Sequence, residues 1–246
     1  TRKIGELAAD LSASATDVQH PLLKQHEKIS NSLLLVITSN RGLCGGYNSS
    51  IIREAMHRVQ QNSKDGITLH LELSGKRAIN YFKFQQIPAE ATYTQFEDKV
   101  TFEEIDTLAT RYIAAYAAHK LDRVEVAYMK FISSSRQAPV VETLLPLSEV
   151  APTGVKKAAK AVEYEFLPSA KGILEEILPM SFKVRLFKCF LDAAVSEQIA
   201  RRVAMKGATE NAGEIIKQLT RKYNRARQSN ITKEISEVIG GAAALE

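Results

Sequence analysis

A chain of 246 residues with 45% hydrophobic and 25% charged side chains has an ordinary soluble composition, long enough for one large domain or a domain with an extension. No run of 18 apolar residues occurs, which excludes a helical membrane span, and two distant cysteines, Cys44 and Cys189, exclude a disulfide framework and point to a reducing compartment. The net charge of +5 and pI near 9.1 admit acidic partners such as nucleic acid or anionic membrane surfaces.

Residues 1–29 read as the end of an amphipathic helix, with Ile4, Leu7, Ala8 and Leu11 on one face, and a lead-in broken at Pro21. The start shows neither a signal-peptide core nor an arginine-rich transit segment, and Thr1 in place of methionine is the mark of processing or excerpting. Leu33-Leu34-Leu35-Val36-Ile37 is a continuous apolar run, as in a strand buried on both faces of a parallel sheet. The glycine-rich turn Thr38–Ser50 leads into a helix that Asn48 or a neighbouring serine is expected to cap. A strand over Ile67–Leu73, a helix from Lys76, a short strand over Ala91–Phe96 and a helix over Phe102–Ala118 follow. Strands over Val124–Ile132 and Val140–Leu147 are joined by the polar residues Ser133–Gln137. The alternation predicts a small Rossmann-like α/β domain with a mostly parallel sheet over 30–165, with a loop or connection at Ala151–Val162.

Residues 166–246 predict a long coiled-coil helix. Ile173, Ile177, Met180, Val184, Phe187, Leu191, Ala194, Met205, Ala208, Ala212, Ile215, Leu219, Ala226, Ile235, Val238, Ala242 and Leu245 recur at threes, fours or their sums. No proline follows Pro179, so a helix of about 65 residues would run roughly 100 Å, wider than a domain of this size. It should protrude and need another helix over its apolar seam. Between Lys183 and Arg227, 11 Lys/Arg stand against 4 Asp/Glu, so this helix sets the electrostatic character of the chain.

No pattern of catalysis emerges. Gly42, Gly45 and Gly46 do not fit a dinucleotide fingerprint, and no Walker lysine follows them. Ser74-Gly75-Lys76-Arg77 is a weaker version of the same turn. The five histidines (20, 26, 57, 70 and 119) are scattered without metal-ligand spacing, and no base is identifiable for Cys44, which reads as a buried structural thiol. No catalytic residue, cofactor or metal site is expected. A basic coiled-coil nucleic-acid-binding or scaffold protein, and a small-molecule enzyme with a pocket at the strand C-termini, are the competing readings. The first would line one helix face with its cations.

Three segments together carry a family pattern: TSNRGLCGGYNSS at 38–50, VVETLLPL at 140–147, and the tail from Ala204, with YNRARQ at 223–228 and ITKEISEVIGGAAAL at 231–245. They resemble the γ subunit of F-type ATP synthase, over a match from about residue 20 to the end. The resemblance implies a non-catalytic central rotor that couples transmembrane proton flow to ATP synthesis by rotation. Its α/β domain would stand on the membrane c-ring beside an epsilon-type small subunit. Its long helix would pair with the family's N-terminal helix inside the alpha-beta hexamer, with no nucleic acid involved. The chain starts after most of that N-terminal helix. Arg202, Gln228, Thr232 and Glu234 match positions where the family's shaft contacts the hexamer. The paired cysteines of chloroplast relatives are missing, so thiol regulation is not expected. His20-Pro21-Leu22-Leu23 is more like bacterial members, which implies a peripheral membrane protein on the cytoplasmic face of a bacterial inner membrane; the mitochondrial matrix face is the alternative.

Overall fold

The structure is a computed structural model that describes residues 20–24, 26, 29–96, 100–147 and 170–243. The helix end and lead-in expected over 1–29 lie mostly outside the described residues, as does the connection at Ala151–Val162. Strands β1 (Asn31–Ile37), β2 (Thr68–Ser74), β3 (Ala91–Tyr93), β4 (Arg123–Ser133) and β5 (Arg136–Leu145) form one sheet in the order β3-β2-β1-β4-β5. The first four are parallel, and β5 returns antiparallel on β4. Between them lie helices α1 (Tyr47–Lys64), α2 (Lys76–Phe84) and α3 (Phe102–Ala117), and the chain ends in α4 (Ala170–Ala243). The polar connection expected at 133–137 is tighter than its composition suggests: Ser133 already pairs with Arg136.

Handedness explains the layers. The chain steps outward from β1 to β3 through α1 and α2, then turns back past β1 to β4 through α3. Right-handed crossovers place the returning helix on the opposite face. Leu34 and Val36 accordingly pack with Tyr47, Ile51 and Ala55 of α1 and with Ala78 and Phe82 of α2. Leu33, Leu35 and Ile37 pack with Ile105, Leu108 and Tyr112 of α3 and with α4. Both faces of β1 are therefore dry, which is why its sequence does not alternate.

Two carboxylates are buried in this sheet because cations and hydroxyls from the covering helices neutralise them. Glu125 is only 1% exposed and receives the guanidinium of Arg58 from α1, with Arg123 at 3.2 Å. Glu72 accepts from Arg111 and Tyr112 of α3 and from Tyr93 of β3. A buried carboxylate without such partners would cost several kcal/mol, so these contacts fix the helices against the sheet in one register.

The turns also differ from expectation in one respect. Helix α1 begins after Gly46 with no side-chain cap. Asn48 instead accepts from the backbone N–H and hydroxyl of Ser39, each at 3.0 Å, tying the helix start to the end of β1. The hydroxyls of Ser49 and Ser50 donate back to the Gly46 carbonyl. By contrast α3 carries a reciprocal capping box between Thr101 and Glu104, legible as T-x-x-E.

Gly75 links β2 to α2 at φ +95°, and a Cβ there would stand 2.1 Å from the Thr38 carbonyl oxygen. Gly66 shares the left-handed backbone, at φ +68°, but faces open space. Gly66→Ala should therefore cost only the backbone term, about 1 kcal/mol. Gly75→Ala should cost at least about 3 kcal/mol, because the clash with Thr38, just past β1, adds to that strain. Denaturant unfolding of the two variants checks this, and equal losses would contradict it.

Candidate functional site

Helix α4 is 74 residues long, about 110 Å at 1.5 Å per residue. Its first part is seated on the sheet. Leu178, Phe182, Leu186, Cys189, Phe190, Ala193 and Ser196 are buried there, joining the core of β1, β4 and α3. It coincides only in part with the stripe singled out from sequence, of which Ile177 and Phe187 pack against this core. Met180 and Leu191 of that stripe are exposed by 47% and 42%, and at about 100° per residue they lie on the side of the helix away from Phe182. The helix thus carries apolar groups on two opposite faces. One binds the domain and the other faces outward.

Polar contacts fix the seat. Tyr47 donates to the Ala193 carbonyl at 3.0 Å, Ser196 to the Met129 carbonyl at 3.4 Å, and Arg201 to the Gly42 carbonyl at 3.4 Å while also pairing with Glu197. Lys183 pairs with Asp106 of α3, and Arg185 with Glu142 of β5. Glu142 also accepts from Tyr128 and Lys130. Burial works against its charge, but these hydrogen bonds and the Lys130 and Arg185 charges outweigh it and hold the carboxyl below the usual range. Burial, reinforced by Glu142, pushes the neighbouring Cys189 thiol up to about 12, so it stays protonated.

The crevice at the strand C-termini beside β1, where doubly wound folds place ligands, is filled by this seat. Phe190, Ala193, Ala194 and Glu197 of α4 close over Ile37, Thr38, Asn40 and Arg41, leaving about 30 Å³, room for a few water molecules at most. The glycine-rich turn meets the helix through Tyr47 and Gly42. Cys44 within it is buried and accepts from Asn48 at 3.1 Å. Among the described residues no group of three or more His, Cys, Asp or Glu is arranged to hold a metal, and no helix is long and apolar enough to cross a membrane.

Beyond Ala204, which comes alongside Gly45, α4 leaves the domain. From Met205 to Ala243 it runs about 58 Å, and Ile215, Ile216, Leu219, Tyr223, Ile231, Ile235, Val238 and Ile239 are all exposed. Lys217, Arg221, Lys222, Arg225 and Arg227 make a cationic collar with no acidic residue between them. Arg202, Gln228 and Glu234 are exposed, as is Thr232, whose hydroxyl donates to the Gln228 carbonyl at 2.9 Å. The last three share one stretch of the shaft, whereas Arg202 sits near the domain, about 39 Å from Gln228 along the axis. Sequence reasoning missed the anchors Tyr47, Asp106, Glu142, Lys183, Arg185 and Ser196. A second apolar series at helical spacing, from Leu178 to Ala193, was the available signal.

An α/β domain whose ligand crevice is occupied by its own protruding helix defines a class of shaft-bearing proteins. The family model described as ATP synthase matches residues 1–245. The ATP synthase gamma chain of Rhodopirellula baltica is 52% identical over 100% of this chain and 84% of its own length, and that of Leptospira biflexa is 41% identical over 98% and 82%. Among solved structures, a chain of the Euglena gracilis mitochondrial ATP synthase, in its OSCP, F1 and c-ring assembly, superposes with a TM-score of 0.61 at 19% identity, covering 99% of this chain and 88% of that one. A Tetrahymena thermophila central-stalk chain gives 0.56 at 20% identity, covering 85% and 98%. The chain belongs to the ATP synthase gamma-chain family.

Because its folded carboxyl is held low, Glu142 adds stability that is complete above the ordinary value of 4.5 and is lost as pH falls through the lower folded value. Thermal unfolding of the wild type should therefore weaken in acid more steeply than that of Glu142→Gln, whose side chain cannot titrate. Parallel melting curves across that range would contradict the assignment.

Proposed function

We propose that this chain acts as the non-catalytic shaft of its ATP synthase, with the free part of α4 turning inside the alpha-beta hexamer and the α/β domain over 30–165 standing on the c-ring. The single observation that carries the reading is the free helix: from Met205 onward it is uncovered, apolar on part of its girth and cationic on the rest. An isolated helix of this kind gains little from its own backbone and draws its stability from a packed partner. The family's N-terminal helix is that partner, laid on the outward face that includes Met180, Val184 and Leu191. An epsilon-type subunit stands beside the domain. Bacterial relatives at 52% and 41% identity support a place on the cytoplasmic face of a bacterial inner membrane.

The cations do not favour nucleic acid. Lys217 and Lys222 are about 140° apart around the helix, and Arg225 and Arg227 about 160°, so they spread over most of its girth rather than line one face. A broad arc of charge suits a shaft that meets several surrounding subunits in turn, attracted to acidic loops.

Arg202, Gln228, Thr232 and Glu234 are the positions for polar contact with the hexamer. Arg202 offers a planar charged fork, and Gln228 a neutral donor and acceptor. Arg202→Ala and Gln228→Ala should leave folding and assembly intact, since both side chains are exposed. Each should lower ATP turnover or its coupling to proton flow by several-fold, the equivalent of about 1 kcal/mol. Hydrolysis and ATP-driven acidification by reconstituted complexes measure both, and full coupled activity in the double variant would overturn the assignment.

A further inference from the structure

The fully buried apolar stripe of α4, from Leu178 to Phe190, spans about 120° of its girth, and an ion pair stands on each flank. Lys183 and Arg185 are two residues apart, which at about 100° per residue puts them about 160° from each other around the helix. Phe182, at the middle of the seat, lies between these two directions. Lys183 Nζ reaches Asp106 Oδ1 of α3 at 2.7 Å on one flank, and the Arg185 guanidinium reaches Glu142 Oε1 of β5 at 3.2 Å on the other. Apolar packing is non-directional, so the stripe opposes separation of helix from sheet more than it opposes rolling of the helix about its own axis. A roll in either direction stretches one of the two ion pairs.

The geometry points to Lys183–Asp106 and Arg185–Glu142 as opposed pins that lock α4 against axial rotation in the α/β domain, making Lys183 and Arg185 positioning residues for torque transfer. This rests on the rotor reading above. The pins suit the load because Asp106 and Glu142 come from different elements, α3 and the β4–β5 hairpin, on either side of the seat. Glu142 is itself held by Tyr128 and Lys130, so the acceptor on that flank is braced before the helix pulls on it.

The test is a full complex in which the chain carries Lys183→Met and Arg185→Met, which keep the methylene stems and delete the charges. Assembly and unloaded ATP hydrolysis should match the unaltered complex. Torsional stiffness between the shaft tip and the α/β domain, read from the angular fluctuation of a bead on that domain with the tip held by the hexamer, should fall by about half. Protons pumped per ATP should fall with it. An exchanged pair, Lys183→Asp with Asp106→Lys, should recover stiffness lost in Lys183→Asp alone, which a merely structural role would not produce. Unchanged stiffness and pumping in the double variant overturn the inference. If the double variant does not assemble, the exchange decides: recovery supports the pins, and no recovery refutes them. If the unaltered complex itself does not rotate, the rotor reading fails instead.

Discussion

The structure depends on the seating of one helix against a face of a mostly parallel sheet. Strands β1 and β4 run side by side, and α4 lies over the crevice at their C-terminal side with Phe190 and Ala193 where a ligand would otherwise sit. Burying each large apolar side chain contributes about 1.5–3 kcal/mol, and the seat buries Leu178, Phe182, Leu186 and Phe190 together. That gain holds the helix root without help from the rest of α4. The glycine-rich turn, which looks like a phosphate loop by composition, is shaped by the same demand: Tyr47 and Gly42 each meet α4 from it.

Much of this was legible in the sequence. The run Leu33–Ile37 announced a strand covered on both faces, and the order of strand, turn and helix that followed gave the sheet its parallel character. The long helix was visible because nothing after Pro179 interrupts it. Its docking face was not. Leu178, Phe182 and Leu186 repeat as regularly as Met180, Val184 and Leu191, and one-dimensional spacing cannot say which of two opposite faces meets a sheet folded from residues far upstream. The buried carboxylates were hidden for a related reason. Glu72 and Glu125 look like solvent-facing strand residues until Arg111 and Arg58 arrive from helices 39 and 67 positions away. Asn48 shows the local version of the problem, since a residue suited to capping was drawn instead to the neighbouring Ser39.

The partner positions occupy a different level. Arg202, Gln228, Thr232 and Glu234 were singled out by resemblance, and no internal contact of the chain would have selected them. Thr232 returns its hydroxyl to the helix backbone, and the others face solvent. Such residues acquire meaning only in an assembly, so neither periodicity nor packing of the isolated chain can rank them. The anchors, by contrast, are written in the fold itself through Tyr47, Ser196, Lys183 and Arg185.

The point at which α4 leaves the domain, near Ala204 and Gly45, has a mechanical consequence. A helix gripped on one side of that point and free on the other is a cantilever. Deflection of a cantilever under a given end load grows as the cube of its free length, so the far residues swing much more easily than those near the clamp. Bonding a second rod along its side raises bending resistance by more than the sum of the two rods, because material is moved away from the neutral axis. The apolar groups left outward along this free length are where the companion helix proposed above would convert a compliant whisker into a beam.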